Sequence, residues 1–273
     1  MEATISQPAD HLPVLCAFVR DQARQVDVGE LRDSDELSLR IRGFYTPALM
    51  QAAEAVAPGW QQMAAYADGT TLDHITRALI ALQNLPEYRQ AGPDLKAMME
   101  WTVLYHDVGK QVLDGKRDSL HAFRSGTLAA RALPALGFAI SDSYATGLDG
   151  WIQLVLNAAT EAPDGKGSIQ DNRVLPAIVQ GIERLFSDGS AAALIVQAVL
   201  LHQSLNVVPE WPNPGSLGDA EIPGCIRPAV LPLLEALMLV DSDAWQLFDP
   251  VNRARFRQST LAVFAGVRKL VQL

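Results

Sequence analysis

Apolar and polar positions alternate with a helical period along nearly the whole chain. Leu72, Ile75, Leu79 and Leu82 recur at spacings of three and four, as one face of a helix does. Thr70 or Thr71 is placed to cap the start of that helix, and Pro86 marks its end. The same patterning predicts helices near residues 10–26, 46–57, 93–106, 119–136, 142–161, 173–186, 189–204, 229–248 and 251–271. Period-two alternation bounded by hairpin turns is missing, so the expected fold is all-α. Two segments interrupt the helices. Residues 111–118, QVLDGKRD, read as a short polar loop whose Lys116 and Arg117 are solvated charges. Residues 205–224 carry Pro209, Pro212, Pro214 and Pro223 with several glycines, too many breakers for a helix. A connection of that length reads as a surface excursion or as a binding segment. Residues 1–66 read as a helical extension to a main domain over 67–273.

Three apolar runs end in the same unusual way. Residues 101–107, WTVLYHD, end in His106 and Asp107, with Gly109 placed to stop the helix; residues 191–202, AAALIVQAVLLH, end in His202; residues 233–241, LLEALMLVD, end in Asp241. A helix that is apolar all round is buried, and the polar residue at its end is then partly buried with it. Burying an unpaired carboxylate or imidazole costs several kcal/mol. Each residue alone has an ordinary explanation. His202 could complement a helix dipole, and Asp241 could accept a buried hydrogen bond, a role for which Asp243 competes. Three such ends without an obvious basic partner point instead to a shared cation. His74, on the margin of its helix's apolar stripe, and His121, which opens a helix after the polar loop, fit the same set. Four of the five histidines thus belong to it. Four imidazoles and two carboxylates without thiolate suit first-row divalent ions, and they exceed what one tetrahedral zinc needs.

Composition narrows the setting. The chain has 273 residues, 49% of them apolar, which excludes a disordered or collagen-like protein and suits one large domain with an extension. A net charge of −9 opposes binding to duplex nucleic acid or an anionic membrane. No run reaches the length of a membrane span, and the first residues lack the basic stretch of a secretory signal. Cys16 and Cys225 form no CxxC pair, which fits a reducing, cytoplasmic setting. Nothing opposes a homo-oligomer.

The ordered residues resemble the HD-domain superfamily of metal-dependent phosphohydrolases. The resemblance rests on HDVGK at 106–110, DHITRAL at 73–79, HAFRSGTLAARAL at 121–133, VLLHQ at 199–203 and LMLVDSDA at 237–244. It implies a phosphodiesterase-like helical bundle in which His74, His106, Asp107 and Asp241 form the minimal ligand set. His121 and His202 would supply a second ion, with Asp107 bridging. Relative to the family, residues 142–186 read as a helical insertion. Gln203 stands after His202 where the cyclic-dinucleotide branch has a second histidine, and no downstream Gly-Tyr-Pro follows, so that branch is disfavoured. The implied cofactor is a pair of divalent transition-metal ions, iron or manganese first, with zinc, nickel, cobalt or magnesium also compatible. The implied chemistry is attack of a metal-activated hydroxide on a phosphate ester of a nucleotide or similar small molecule. Asp107 and Lys110 would then be catalytic, with Lys110, Arg77 and Arg124 as candidate phosphate binders. Lys110 otherwise reads as an exposed lysine near a helix end, and the arginines as helix-surface residues. Two other classes stay open. The same ligands hold a mixed-valent di-iron centre in HD-type oxygenases, and a degenerate ligand set would have indicated a binding scaffold.

Overall fold

The computed structural model describes residues 5–61, 70–111, 118–163, 165, 167–208 and 213–272. The fold is all-α. Among the described residues it has eleven helices of ten residues or more: α1 (Pro13–Asp27), α2 (Ser34–Phe44), α3 (Pro47–Val56), α4 (Thr70–Gln83), α5 (Pro93–Tyr105), α6 (His121–Ala132), α7 (Tyr144–Leu156), α8 (Leu175–Phe186), α9 (Ala191–Leu201), α10 (Leu231–Trp245) and α11 (Pro250–Val271). Proline occupies the first turn of α1, α3, α5, α8, α10 and α11, where its fixed φ suits the helix and its missing N–H leaves no bond unmade. Side-chain caps also start helices, with or without a proline. Ser190 accepts the N–H of Ala193 at the head of α9, and Thr46 accepts that of Leu49 at the head of α3.

Helix α2 was not expected from the apolar pattern, because its buried face is only Leu37 and Ile41. The signal lay in its cap: Asp33 accepts the N–H of Glu36, a D-x-x-E start. A second correction concerns residues 142–161. The helix ends at Leu156, and Ala159–Glu161 pairs antiparallel with Ser168–Gln170, Thr160 opposite Ile169. Strands of three residues are too short to show a period, although Pro163 and the left-handed Gly165 and Gly167 mark the turn between them. The segment read as a helical insertion thus carries α7 and α8 with a hairpin between them.

The apolar helices are buried as their composition requires. Helix α5 is central and packs against α4, α6, α9 and α10. The extension is helical in its described part, yet it shares the core of the rest: Leu15, Val19, Leu37 and Ile41 belong to the same apolar cluster as Ile75, Trp101 and Val199. The Trp101 indole N–H donates to the carbonyl of Ser6 at 2.8 Å, fastening the N-terminal segment to α5. Lys116, Arg117, Pro209 and Pro212, and the 66/67 boundary, lie outside the described residues. No helix among those described is long and apolar enough to cross a membrane.

Candidate metal centre

The ends of α5, α9 and α10, the start of α6 and the middle of α4 converge at one place. Helix α5 stops at Tyr105, and residues 106–109 turn out of it. Gly109 makes this turn possible by close approach rather than by a left-handed cap, since it is not among the glycines with positive φ. A Cβ there would lie 2.5 Å from the backbone nitrogen of Ser125 and 2.7 Å from Cβ of Arg124. Its own N–H donates to Ser125 Oγ at 2.9 Å, locking the turn to α6. His74 is not at the rim of the core, as its place on the apolar stripe suggested. Helix α4 is buried on nearly every side, and His74 is 2% exposed.

All six expected ligands come together, in two groups of three. His74, His106 and Asp241 form one, and Asp107, His121 and His202 the other; within each, the donor atoms lie within 4.8 Å of one another. His74 Nε2 is 2.8 Å from Asp241 Oδ1 and 3.3 Å from His106 Nε2. His121 Nε2 is 3.0 Å from Asp107 Oδ1 and 3.1 Å from His202 Nε2. Asp107 joins the groups by dividing its oxygens. Oδ1 faces His121 and, at 3.7 Å, His202, while Oδ2 faces His74 at 3.8 Å and His106 at 3.9 Å.

These donors fit cations. Three of the four imidazoles turn Nδ1 onto the carbonyl three residues earlier: His106 onto Val103 at 2.7 Å, His121 onto Asp118 at 2.5 Å, His202 onto Val199 at 2.7 Å. A carbonyl only accepts, so each Nδ1 carries the proton and each Nε2 of a neutral ring presents a bare lone pair. Two such lone pairs 3.1 Å apart repel unless a positive charge lies between them. Donors held at about 2.1 Å from one ion stand about 3.0 Å apart when octahedral and about 3.4 Å apart when tetrahedral. The separations of 2.8 to 3.9 Å within the first group and around Asp107 bracket those values. Donors of this kind suit a first-row divalent ion.

Electrostatics agree. Burial pushes His106 down to about 4, against the opposing pull of Asp107 and Asp241, so its ring is neutral at neutral pH. Burial acts to raise Asp107, but the Lys110 ammonium and the imidazoles of His106 and His121 outweigh it and hold the carboxyl well below the usual range. Asp241 is likewise held low against burial, by its hydrogen bond to His74. Asp107 and Asp241 place two carboxylates in a largely buried site where, among the described residues, Lys110 brings the one ammonium, 2.8 Å from Asp107 Oδ2.

The arginines expected to bind phosphate are occupied elsewhere. Arg77 is buried, with Nε on Asp73 at 2.9 Å and Nη2 on the Ser34 carbonyl and Ser38 Oγ, tying α4 to α2. Arg124 clasps Asp118 and donates to the Gly109 carbonyl at 2.8 Å, so it braces the turn that carries Asp107. Asp243 turns away from the centre and pairs with Arg257, which leaves the ligand role to Asp241.

A cavity of about 550 Å³ opens onto the centre, bordered by His202 and Asp241. The described part of the 205–224 connection forms one wall with Leu205, Asn206, Val207, Val208 and Asn213; Ser242, Trp245 and Gln246 from the end of α10 and its sequel form another. The binding-segment reading of 205–224 agrees with this wall, whereas the residues from α10 and the stacking of Trp245 on His74 were not anticipated. The one available signal was that Trp245 follows Asp241 by four residues on an apolar helix. No family model, no curated protein and no solved structure matches this chain.

Proposed function

We propose that the protein is a metal-dependent phosphohydrolase that cleaves a phosphate ester of a nucleotide or similar small molecule. The carrying observation is the division of Asp107, whose two oxygens face two separate imidazole groups. A carboxylate so placed could be shared by two ions, one held by His74, His106 and Asp241 and one by His121 and His202, as the HD-domain resemblance implies. Two divalent ions, when bound, supply Lewis acidity toward a phosphoryl oxygen and make a coordinated water acidic enough to act as nucleophile near neutral pH. Iron or manganese fits first. The chain's own residues do the rest. His106, His121 and His202 are held in one tautomer by backbone carbonyls, so their lone pairs stay aimed inward without reorganisation. Lys110 sets an ammonium beside Asp107, where it offsets charge gathering on a phosphoryl group. The cavity that borders Asp241 and His202 has the volume of a small-molecule site.

The test is phosphate release from a panel of nucleotides and simple phosphodiesters by protein loaded with manganese or iron. Release that needs the metal and disappears in His106→Ala and Asp107→Ala supports the reading. Activity that survives both substitutions overturns it.

A second reading is favoured by one observation. The described cavity walls bear amides and a hydroxyl, from Gln203, Asn206, Asn213, Ser242 and Gln246, and no cationic side chain. That lining suits a neutral polar molecule and a mixed-valent di-iron oxygenase. Iron-loaded, ascorbate-treated protein then shows a mixed-valence resonance that changes when small polyols or amino alcohols are added, with O₂ uptake. A two-manganese protein that hydrolyses esters and takes up no O₂ eliminates it.

A further inference from the structure

His74 differs from the other three imidazoles. Among the described residues its Nδ1 has no hydrogen-bond partner, although it is buried. No carbonyl therefore holds its outer nitrogen, and the ring's hydrogen bond is at Nε2, to Asp241. What touches the ring is Trp245, stacked on it with centroids 4.8 Å apart and planes 19° from parallel. Trp245 lies one turn beyond Asp241 on α10, and Asp241 Oδ1 meets His74 Nε2 at 2.8 Å. One helix thus grips the imidazole twice, by its edge and by its face. Yet Trp245 is 58% exposed and lines the cavity. What sets this exposed indole apart is its place, stacked on a buried imidazole and lining the cavity.

We infer that Trp245 is a positioning residue: its stacking on His74 takes the place of the hydrogen bond that orients each of the other three imidazoles. This role rests on the two-ion reading above. The stacking fixes ring plane but not tautomer, so the ion gripped by His74 depends on the indole and the ion gripped by His121 and His202 does not. Losing an outer partner of a metal-bound histidine typically lowers metal affinity 10- to 100-fold, and a lost stack is expected to do the same to one ion of the two.

The full-length protein is titrated with Co²⁺, following ligand-field absorption, with bound metal counted by elemental analysis. Wild type is expected to bind two ions. Trp245→Ala and Trp245→Leu should each weaken one ion 10- to 100-fold and spare the other, while Trp245→Phe, which keeps a ring, retains most of the affinity. In a His74→Ala background the Trp245→Ala change should do nothing further to the remaining ion, the signature of a shared pathway. Because Trp245 is exposed, its variants should melt within a few degrees of wild type; a variant that does not is set aside for Trp245→Leu or Trp245→Phe. Two ions bound equally well by wild type, Trp245→Ala and Trp245→Leu overturn the role of Trp245 alone. A wild-type protein that takes up no Co²⁺ overturns the two-ion reading itself, and this role with it.

Discussion

His121 and His202 meet Nε2 to Nε2 at 3.1 Å while each turns its Nδ1 onto a backbone carbonyl. The two protons are on the outer nitrogens, so the inner ones oppose each other across a buried gap beside Asp107. A divalent ion bound there would turn that repulsion into ligation and would stabilise the folded chain by mass action. At a free ion concentration 100 times the dissociation constant the gain is about 2.7 kcal/mol, which for a domain of this size is on the order of 5 °C in Tm. Thermal melting in chelator and in excess Mn²⁺ measures it. His121→Ala should lose a large share of the increment, and a Tm indifferent to metal would contradict the ligand pairing.

Lys110 separates binding of ions from chemistry. Its ammonium sits 2.8 Å from Asp107 Oδ2, the oxygen that faces His74 and His106, so it competes for the charge an ion would use. Lys110→Met should leave two ions bound, as tightly or more tightly than before. The same change should cut metal-dependent phosphate release about 10²-fold, the usual loss when one preset positive contact to developing charge is removed. Paired measurements of stoichiometry and kcat decide it. Loss of metal together with activity would make Lys110 a support for Asp107 and nothing more.

The all-α fold was legible in the helical period, and the burial of His106, Asp107 and His202 in the apolar runs that they end; His74 and His121 joined them through their helix positions and the HD-domain resemblance. Apolar runs such as AAALIVQAVLLH have no polar face, so the residue at their end must be taken into the interior with them. What could not be read were features that depend on partners distant in the chain. Arg77 stands near a ligand in sequence, but Ser34, 43 residues away, claims one end of its guanidinium; its pairing with Asp73 one turn back and the clasp of Arg124 on Asp118 six residues back are local signals that were passed over. The hairpin at 159–170 is too short for its alternation to register. Gly109 was rightly marked as special, yet for the wrong property: crowding against Ser125, a contact across 16 residues, and not a left-handed φ. Trp245 has no reason to be singled out until His74 is seen beneath it.

Acid should destabilise the metal-free protein through His106. Burial lowers this imidazole from 6.5 to about 4, outweighing Asp107 and Asp241, which pull the other way. Between those values the unfolded chain binds the proton and the folded chain does not, so stability falls as pH drops through that window and is flat above it. The effect is on the order of 3 kcal/mol. Urea midpoints of chelated protein between pH 4 and 7 should show the slope, and His106→Gln should flatten it. Identical slopes in the two proteins would assign the titration to another group.

Glycine substitutions at two positions should have opposite signs. At Gly109 an added methyl meets the Ser125 nitrogen at 2.5 Å, and backbone cannot rotate away as a side chain tip would. Gly109→Ala must therefore push the 106–110 turn off α6, at a cost of about 1–3 kcal/mol, and it should weaken metal uptake because Asp107 moves with the turn. Gly266 lies within α11 with no heavy atom within 4 Å of an added Cβ. There the change only removes the entropy that glycine brings to a helix interior, so Gly266→Ala should stabilise by about 0.5–1 kcal/mol and leave metal binding alone. Urea midpoints and Mn²⁺ stoichiometry of the two variants settle whether Gly109 is required for close packing. A Gly109→Ala protein with wild-type stability and two bound ions would show that the turn has slack, and the site would then owe its geometry to the helix ends alone.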